Sequence, residues 1–162
     1  MALEHEPDVL TITEHWKCEE DIKNYQIDGY RLASFYRRQR RSHGGCALYI
    51  SNKCSFTDNG YIKSLSVPKV VECCAAQIKM KIMKVVVICI YVPNTPPECN
   101  VYVFLETLRS MLDWCIINNE KFIITGDFNI NVLADNRECR DLVSLLEMYN
   151  RADRGEDNSP PY

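Results

Sequence analysis

The chain has 162 residues, of which 46% are hydrophobic and 25% charged. That is apolar material for one folded domain and excludes a disordered, charge-dominated polymer. A net charge of -3 excludes a global electrostatic pull toward nucleic acid or an anionic membrane, so contact with a polyanion has to come from local basic patches.

The N-terminus, "MALEHEPDVL", lacks a basic stretch followed by an apolar one and carries no mark for secretion. The longest apolar run, "VVVICIYV" at 85–92, falls far short of the ~20 residues of a membrane helix. Nine cysteines occur without a CxxC pair, which reads as reduced, buried, small apolar residues in an intracellular protein. Cys73 and Cys74 are adjacent, and neighbours on a strand face opposite ways, which argues against joint metal binding by that pair.

Taken in chain order, "DVLTITE" (8–14) alternates as a strand and finishes on a carboxylate, Glu14. "GYRLASFYRR" and "GGCALYIS" read as two strands of a hairpin joined by the basic segment "RRQRRSHGG". A second hairpin is expected over "CCAAQIKMKIMKVVVICIYVPN", turning near residues 81–84, its fully apolar second strand central in a sheet. After Pro96 and Pro97, apolar residues Val101, Phe104, Leu105, Leu108, Met111, Leu112 and Cys115 recur every three or four positions and predict an amphipathic helix. The strand "FIIT" follows, and then a second helix predicted from Cys139, Leu142, Val143 and Leu146. Residues 1–150 are expected to form one α/β layered unit, and 151–162 a polar, unstructured tail.

The stretch "FIITGDFNIN" (122–131) ends a buried strand on an aspartate, with an asparagine two residues on. A carboxylate at a strand end sits on the rim of a sheet, rigidly mounted and open to solvent. If extended backbone continues, Asp127 and Asn129 point the same way and offer a charged acceptor and an amide donor to one ligand. Glu14 and Tyr91 lie near the ends of two other strands, and together these oxygens suit Mg²⁺. Gly, Asp and Asn are also turn formers, so "GDFN" by itself is equally compatible with a plain turn.

Four motifs in order, "LTITEHW" (10–16), "GYRLASFYRR" with "GGCALYI" (29–50), "IYVPN" (90–94) and "ITGDFNI" (124–130), resemble the endonuclease/exonuclease/phosphatase superfamily. Within it they are most similar to the apurinic-type endonuclease domain of non-LTR retrotransposons. The resemblance implies a four-layer αββα sandwich, here incomplete, and Mg²⁺-dependent hydrolysis of DNA phosphodiester bonds. It implies no other cofactor and no membrane partner.

Carried over by that resemblance, Glu14 is the metal ligand, Asp127 positions and helps deprotonate the attacking water, and Asn129 holds the scissile phosphate or the nucleophile. Tyr91 hydrogen-bonds the phosphate, and Asn94 contacts the substrate backbone. Arg37, Arg38, Arg40 and Arg41 are expected either to add phosphate contacts or to form a solvated hairpin tip.

The family's opening strand with its asparagine, and its closing Ser-x-Ile-Asp and Ser-Asp-His segments, have no counterpart here; His5, His15 and His43 all precede the GDFN motif. The expectation is therefore weak or no activity for this stretch by itself, an exposed strand edge, and low stability. A non-catalytic nucleic-acid-binding or interaction module is the alternative.

Overall fold

The computed structural model describes residues 6–38, 43–80, 83–94 and 100–153. Its elements run β1 (Val9–Thr13), α1 (Glu19–Asn24), β2 (Tyr30–Tyr36), β3 (Cys46–Ser51), β4 (Ser55–Asp58), α2 (Gly60–Ser64), β5 (Glu72–Lys79), β6 (Lys84–Tyr91), α3 (Val101–Ile117), β7 (Phe122–Asp127) and α4 (Arg137–Asp153). They build a three-stranded sheet in the order β1-β3-β2 and a four-stranded sheet in the order β4-β5-β6-β7.

Strand alternation sorts the apolar residues into three layers of core. Leu48 and Ile50 of β3 meet Ala76, Ile78, Val85 and Val87 of β5 and β6 between the two sheets. Ala47 and Tyr49 turn the other way, onto Ile22 of α1. On the far side, Ala75, Val86, Ile88 and Ile90 pack against Phe104, Leu108, Met111 and Leu112 of α3 and Leu142 and Leu145 of α4. Helix, sheet, sheet, helix is the αββα sandwich that was expected. β3 is buried along its whole length because it has a partner on each edge and a packed layer on each face.

Both predicted hairpins form: β2 pairs antiparallel with β3, and β5 with β6. A bulge between Leu32 and Ser34 lets Ala33 and Tyr36 face the inter-sheet core while Leu32 and Phe35 face α1. β6 is an inner strand, as its unbroken apolar run requires, and joins β7 in the one parallel pairing of that sheet, with α3 in the connection between them.

The helices add a cap to the sequence reading and correct one stripe. α3 starts behind an Asn100 cap, whose side chain accepts from the Val103 N–H at 3.1 Å; Pro96 and Pro97 lie outside the described residues. In α4 the buried stripe is Cys139, Leu142, Leu145 and Tyr149, whereas Val143 is 40% exposed, and the helix runs on to Asp153. Spacing alone allowed either stripe; docking on α3 selects the one that carries Tyr149. Among the described residues no helix is long and apolar enough to cross a membrane.

Candidate active site

Tyr91 and Asp127 are the last residues of β6 and β7 and are paired in the parallel register, so the carboxyl ends of adjacent strands deliver both to one rim. Asp127 closes the strand itself. Gly126 makes this possible: its φ is +130°, and a Cβ there would stand 1.9 Å from the Ile90 carbonyl oxygen. Beyond it the Val92 N–H donates to the Asp127 carbonyl at 2.9 Å, and Phe128 turns inward onto Phe104, ring centroids 5.5 Å apart.

The extended geometry expected after Asp127 does not continue. Asn129 adopts φ +50°, and its backbone N–H donates to Asp127 Oδ1 at 3.0 Å, a side-chain-closed turn. Its amide nitrogen donates to the Val92 carbonyl at 2.7 Å and to Asp127 Oδ2 at 3.3 Å. Both amide hydrogens are thus spent inside the protein, and Asn129 braces Asp127 while leaving its own Oδ1 as the group it presents outward.

Glu14 reaches the same rim from the other sheet. It follows β1 in the left-handed region at φ +54°, its N–H donating to the Gly45 carbonyl at 2.8 Å, and Trp16 repeats the arrangement on Gly44 at 3.1 Å. The exposed Glu14 carboxylate accepts a hydrogen bond from the Tyr91 hydroxyl. Burial, and then this bond, push the Tyr91 phenol well above its ordinary range, so it stays a protonated donor. A second tie between the sheets lies close by, Thr11 Oγ1 to Thr125 Oγ1 at 3.3 Å.

Residues that sequence reasoning did not single out hold the Glu14 turn. His15 Nε2 lies 2.9 Å from the Tyr36 carbonyl and Nδ1 accepts from the Lys17 N–H at 3.0 Å, which assigns the Nε2–H tautomer. Burial lowers the His15 pKa, in keeping with a neutral ring. A Cβ on Gly45 would fall 2.3 Å from His15 Nε2, so this glycine is the space the imidazole occupies. The Gly45 N–H in turn donates to Glu72 Oε2 at 2.6 Å, and Arg38 Nε to Glu72 Oε1. Glu72 is wholly buried and paired in register with Tyr91. One signal for it existed: a lone carboxylate inside "VVECCAA" needs a cationic partner once buried.

Of the arginines, Arg38 is committed to Glu72 and Arg37 to Glu19 at 2.8 Å. Arg40 and Arg41 lie outside the described residues. Asn94 is exposed three residues past Tyr91. The structure therefore gathers Glu14, Tyr91, Asp127 and Asn129, and turns both described arginines toward carboxylates. The rim offers two exposed carboxylates, an amide oxygen and a protonated phenol, an all-oxygen set that can hold a hard cation and a phosphate beside it.

No protein-family model matches the chain, and no curated protein matches it in sequence. Solved structures do. The endonuclease domain of TRAS1, a telomere-specific non-LTR retrotransposon, superposes with a TM-score of 0.55 at 11% identity, over 76% of this chain and 53% of that one. The human Nocturnin catalytic domain, solved with a bound sulfate anion, superposes with a TM-score of 0.53 at 15% identity, over 96% of this chain and 64% of that one. The chain thus shares its fold with these two structures, and it spans less than two thirds of each of them.

Proposed function

We propose that the chain carries the metal- and phosphate-handling rim of a Mg²⁺-dependent phosphodiesterase of the endonuclease type, acting on DNA. The observation that carries this reading is the convergence of Glu14 from one sheet with Tyr91 and Asp127 from the other at a single solvent-facing edge. The fold shared with the endonuclease domain of TRAS1 supports it.

The donor set fits Mg²⁺, a hard ion that takes one or two carboxylates and keeps several waters. Glu14 would hold it, and bound there it would supply electrostatic stabilisation for charge growing on the phosphate oxygens. Asp127, whose carboxylate accepts two hydrogen bonds from Asn129 and whose carbonyl accepts one from the Val92 N–H, is positioned to accept a proton from an attacking water. Asn129 keeps that carboxylate oriented and turns its own amide oxygen outward. Tyr91 has a single hydroxyl proton, which it donates to Glu14 here; with Glu14 as the residue that would hold the ion, the Tyr91 hydroxyl would be the donor to a phosphate oxygen. Asn94, exposed just beyond, is placed to touch the substrate backbone.

The test is nicking of supercoiled plasmid by the purified chain with Mg²⁺, with EDTA and Asp127→Ala as controls. Metal-dependent relaxation lost in the variant supports the reading. Salt-dependent DNA binding by a folded sample that never nicks would replace it with a non-catalytic nucleic-acid-binding module.

A further inference from the structure

The cysteines contain an arrangement that the rim does not use. Cys74 of β5 and Cys89 of β6 sit directly opposite one another in the antiparallel register, and both point into the space between the sheets. Cys46, the first residue of β3, enters the same space from the opposing sheet. The three sulfurs lie within 4.8 Å of one another and all three residues are fully buried. Cys73, one residue from Cys74, belongs to the helix-side core and takes no part.

We propose that Cys46, Cys74 and Cys89 form a three-thiolate site for a soft divalent d¹⁰ metal ion of the zinc and cadmium class, clasping one sheet to the other. Sulfurs sharing a zinc ion at Zn–S of about 2.3 Å stand about 3.8–4.0 Å apart, so closure on an ion asks for a contraction of under roughly 1 Å. Thiolates select soft ions over the hard Mg²⁺ suited to the rim. Charge sets the valence: a divalent ion leaves the cluster with one net negative charge in an apolar core, where a monovalent ion would leave two. The carbonyl oxygen of Ile12, 3.9 Å from Cys89 Sγ, is a neutral group at the edge of the cluster.

In the metal-free chain burial pushes the Cys46 and Cys74 thiols up, while hydrogen bonds from Cys46 and then Cys74 pull Cys89 down, so an ion has to displace protons from the first two. Ligation exchanges the S–H bonds that remain for metal–sulfur bonds, and the protons leave to solvent. Because the sulfurs are closed off from solvent, the ion is taken up as the sheets come together and not afterwards.

The experiment is refolding of the reduced full chain with Cd²⁺ or with EDTA. One cadmium per chain is expected, with an ultraviolet thiolate-to-cadmium charge-transfer band that carboxylates at the rim cannot produce. At a hundredfold excess over Kd the Tm should rise by roughly 5–10 °C. Cys74→Ala and Cys89→Ala should lose the band and the rise, and Cys73→Ala, equally buried but on the other face, should keep both. A natively folded wild-type chain that shows no band overturns the proposal without recourse to any variant. So does a band of full strength in the triple Cys46→Ala, Cys74→Ala, Cys89→Ala chain.

Discussion

The Tyr91 hydroxyl donates to the Glu14 carboxylate, and with that bond the inner strand of one sheet is tied to the residue that leaves the edge strand of the other. The two residues are 77 positions apart, and their meeting depends on both sheets being correctly stacked. Tyr91→Phe removes only the hydroxyl. Since Glu14 is exposed and water can replace the lost donor, the expected stability loss is about 1 kcal/mol in urea titration. Nicking, which on the proposed reading uses the same proton on the phosphate, should fall by about 10²-fold. An unchanged nicking rate would remove Tyr91 from the chemistry.

Gly126 is where the rim is most sensitive to one methyl group. Gly126→Ala combines a φ of +130° with a Cβ driven to 1.9 Å from the Ile90 carbonyl oxygen, backbone that cannot swing aside. The expected cost is on the order of 3 kcal/mol or more, with β7 pushed from its register on β6 and Asp127 carried away from Tyr91. Amide exchange on β7 measures this directly; protection equal to wild type would mean that the turn is softer than its geometry implies.

These two residues also mark how far the sequence could be read. The strand ends were legible because a glycine and an aspartate closed an apolar run, and Tyr91 because "VVVICIYV" could only be an inner strand. α1, β4 and α2 went unread because segments of 6, 4 and 5 residues are too short for periodicity to show. The assignment of β1 and β7 to different sheets that meet at one rim was likewise hidden, since alternation says which face a residue takes and not which strand it borders. The cluster of Cys46, Cys74 and Cys89, and the pairing of Arg38 with Glu72, join residues far apart in the chain and exist only once the layers are stacked.

That pairing supports the rim from beneath. Glu72 is 0% exposed and its oxygens are taken by Arg38 and by the Gly45 N–H, whose carbonyl in turn holds Glu14. Arg38→Met leaves a buried carboxylate without its cation and should cost about 3–5 kcal/mol. Glu72→Gln keeps an acceptor for Gly45, so the double variant should recover about 2 kcal/mol of that loss in a four-protein denaturation cycle. Strict additivity of the two single effects would show that Arg38 and Glu72 do not act as a unit, and that Gly45 alone positions the turn.

On the opposite face, Tyr149 of α4 donates its hydroxyl to Asp113 of α3 and anchors the last helix. Burial, and next the Asp113 carboxylate, raise the Tyr149 phenol to about 12, against 10.0 in an unperturbed tyrosine. In the unfolded chain the phenol ionises first, near pH 10, while the folded chain still holds its proton. The contribution to stability is therefore complete below pH 10 and is lost as pH rises toward about 12. Tyr149→Phe has no proton to hold: it should be less stable by on the order of 1 kcal/mol at neutral pH, and its stability should fall less steeply between pH 10 and 12 than that of the parent. Lysine and the other tyrosines titrate alike in both proteins, so the difference between the two curves isolates this one group. Parallel curves through the alkaline range would mean that α4 is held by its apolar stripe and not by this hydroxyl.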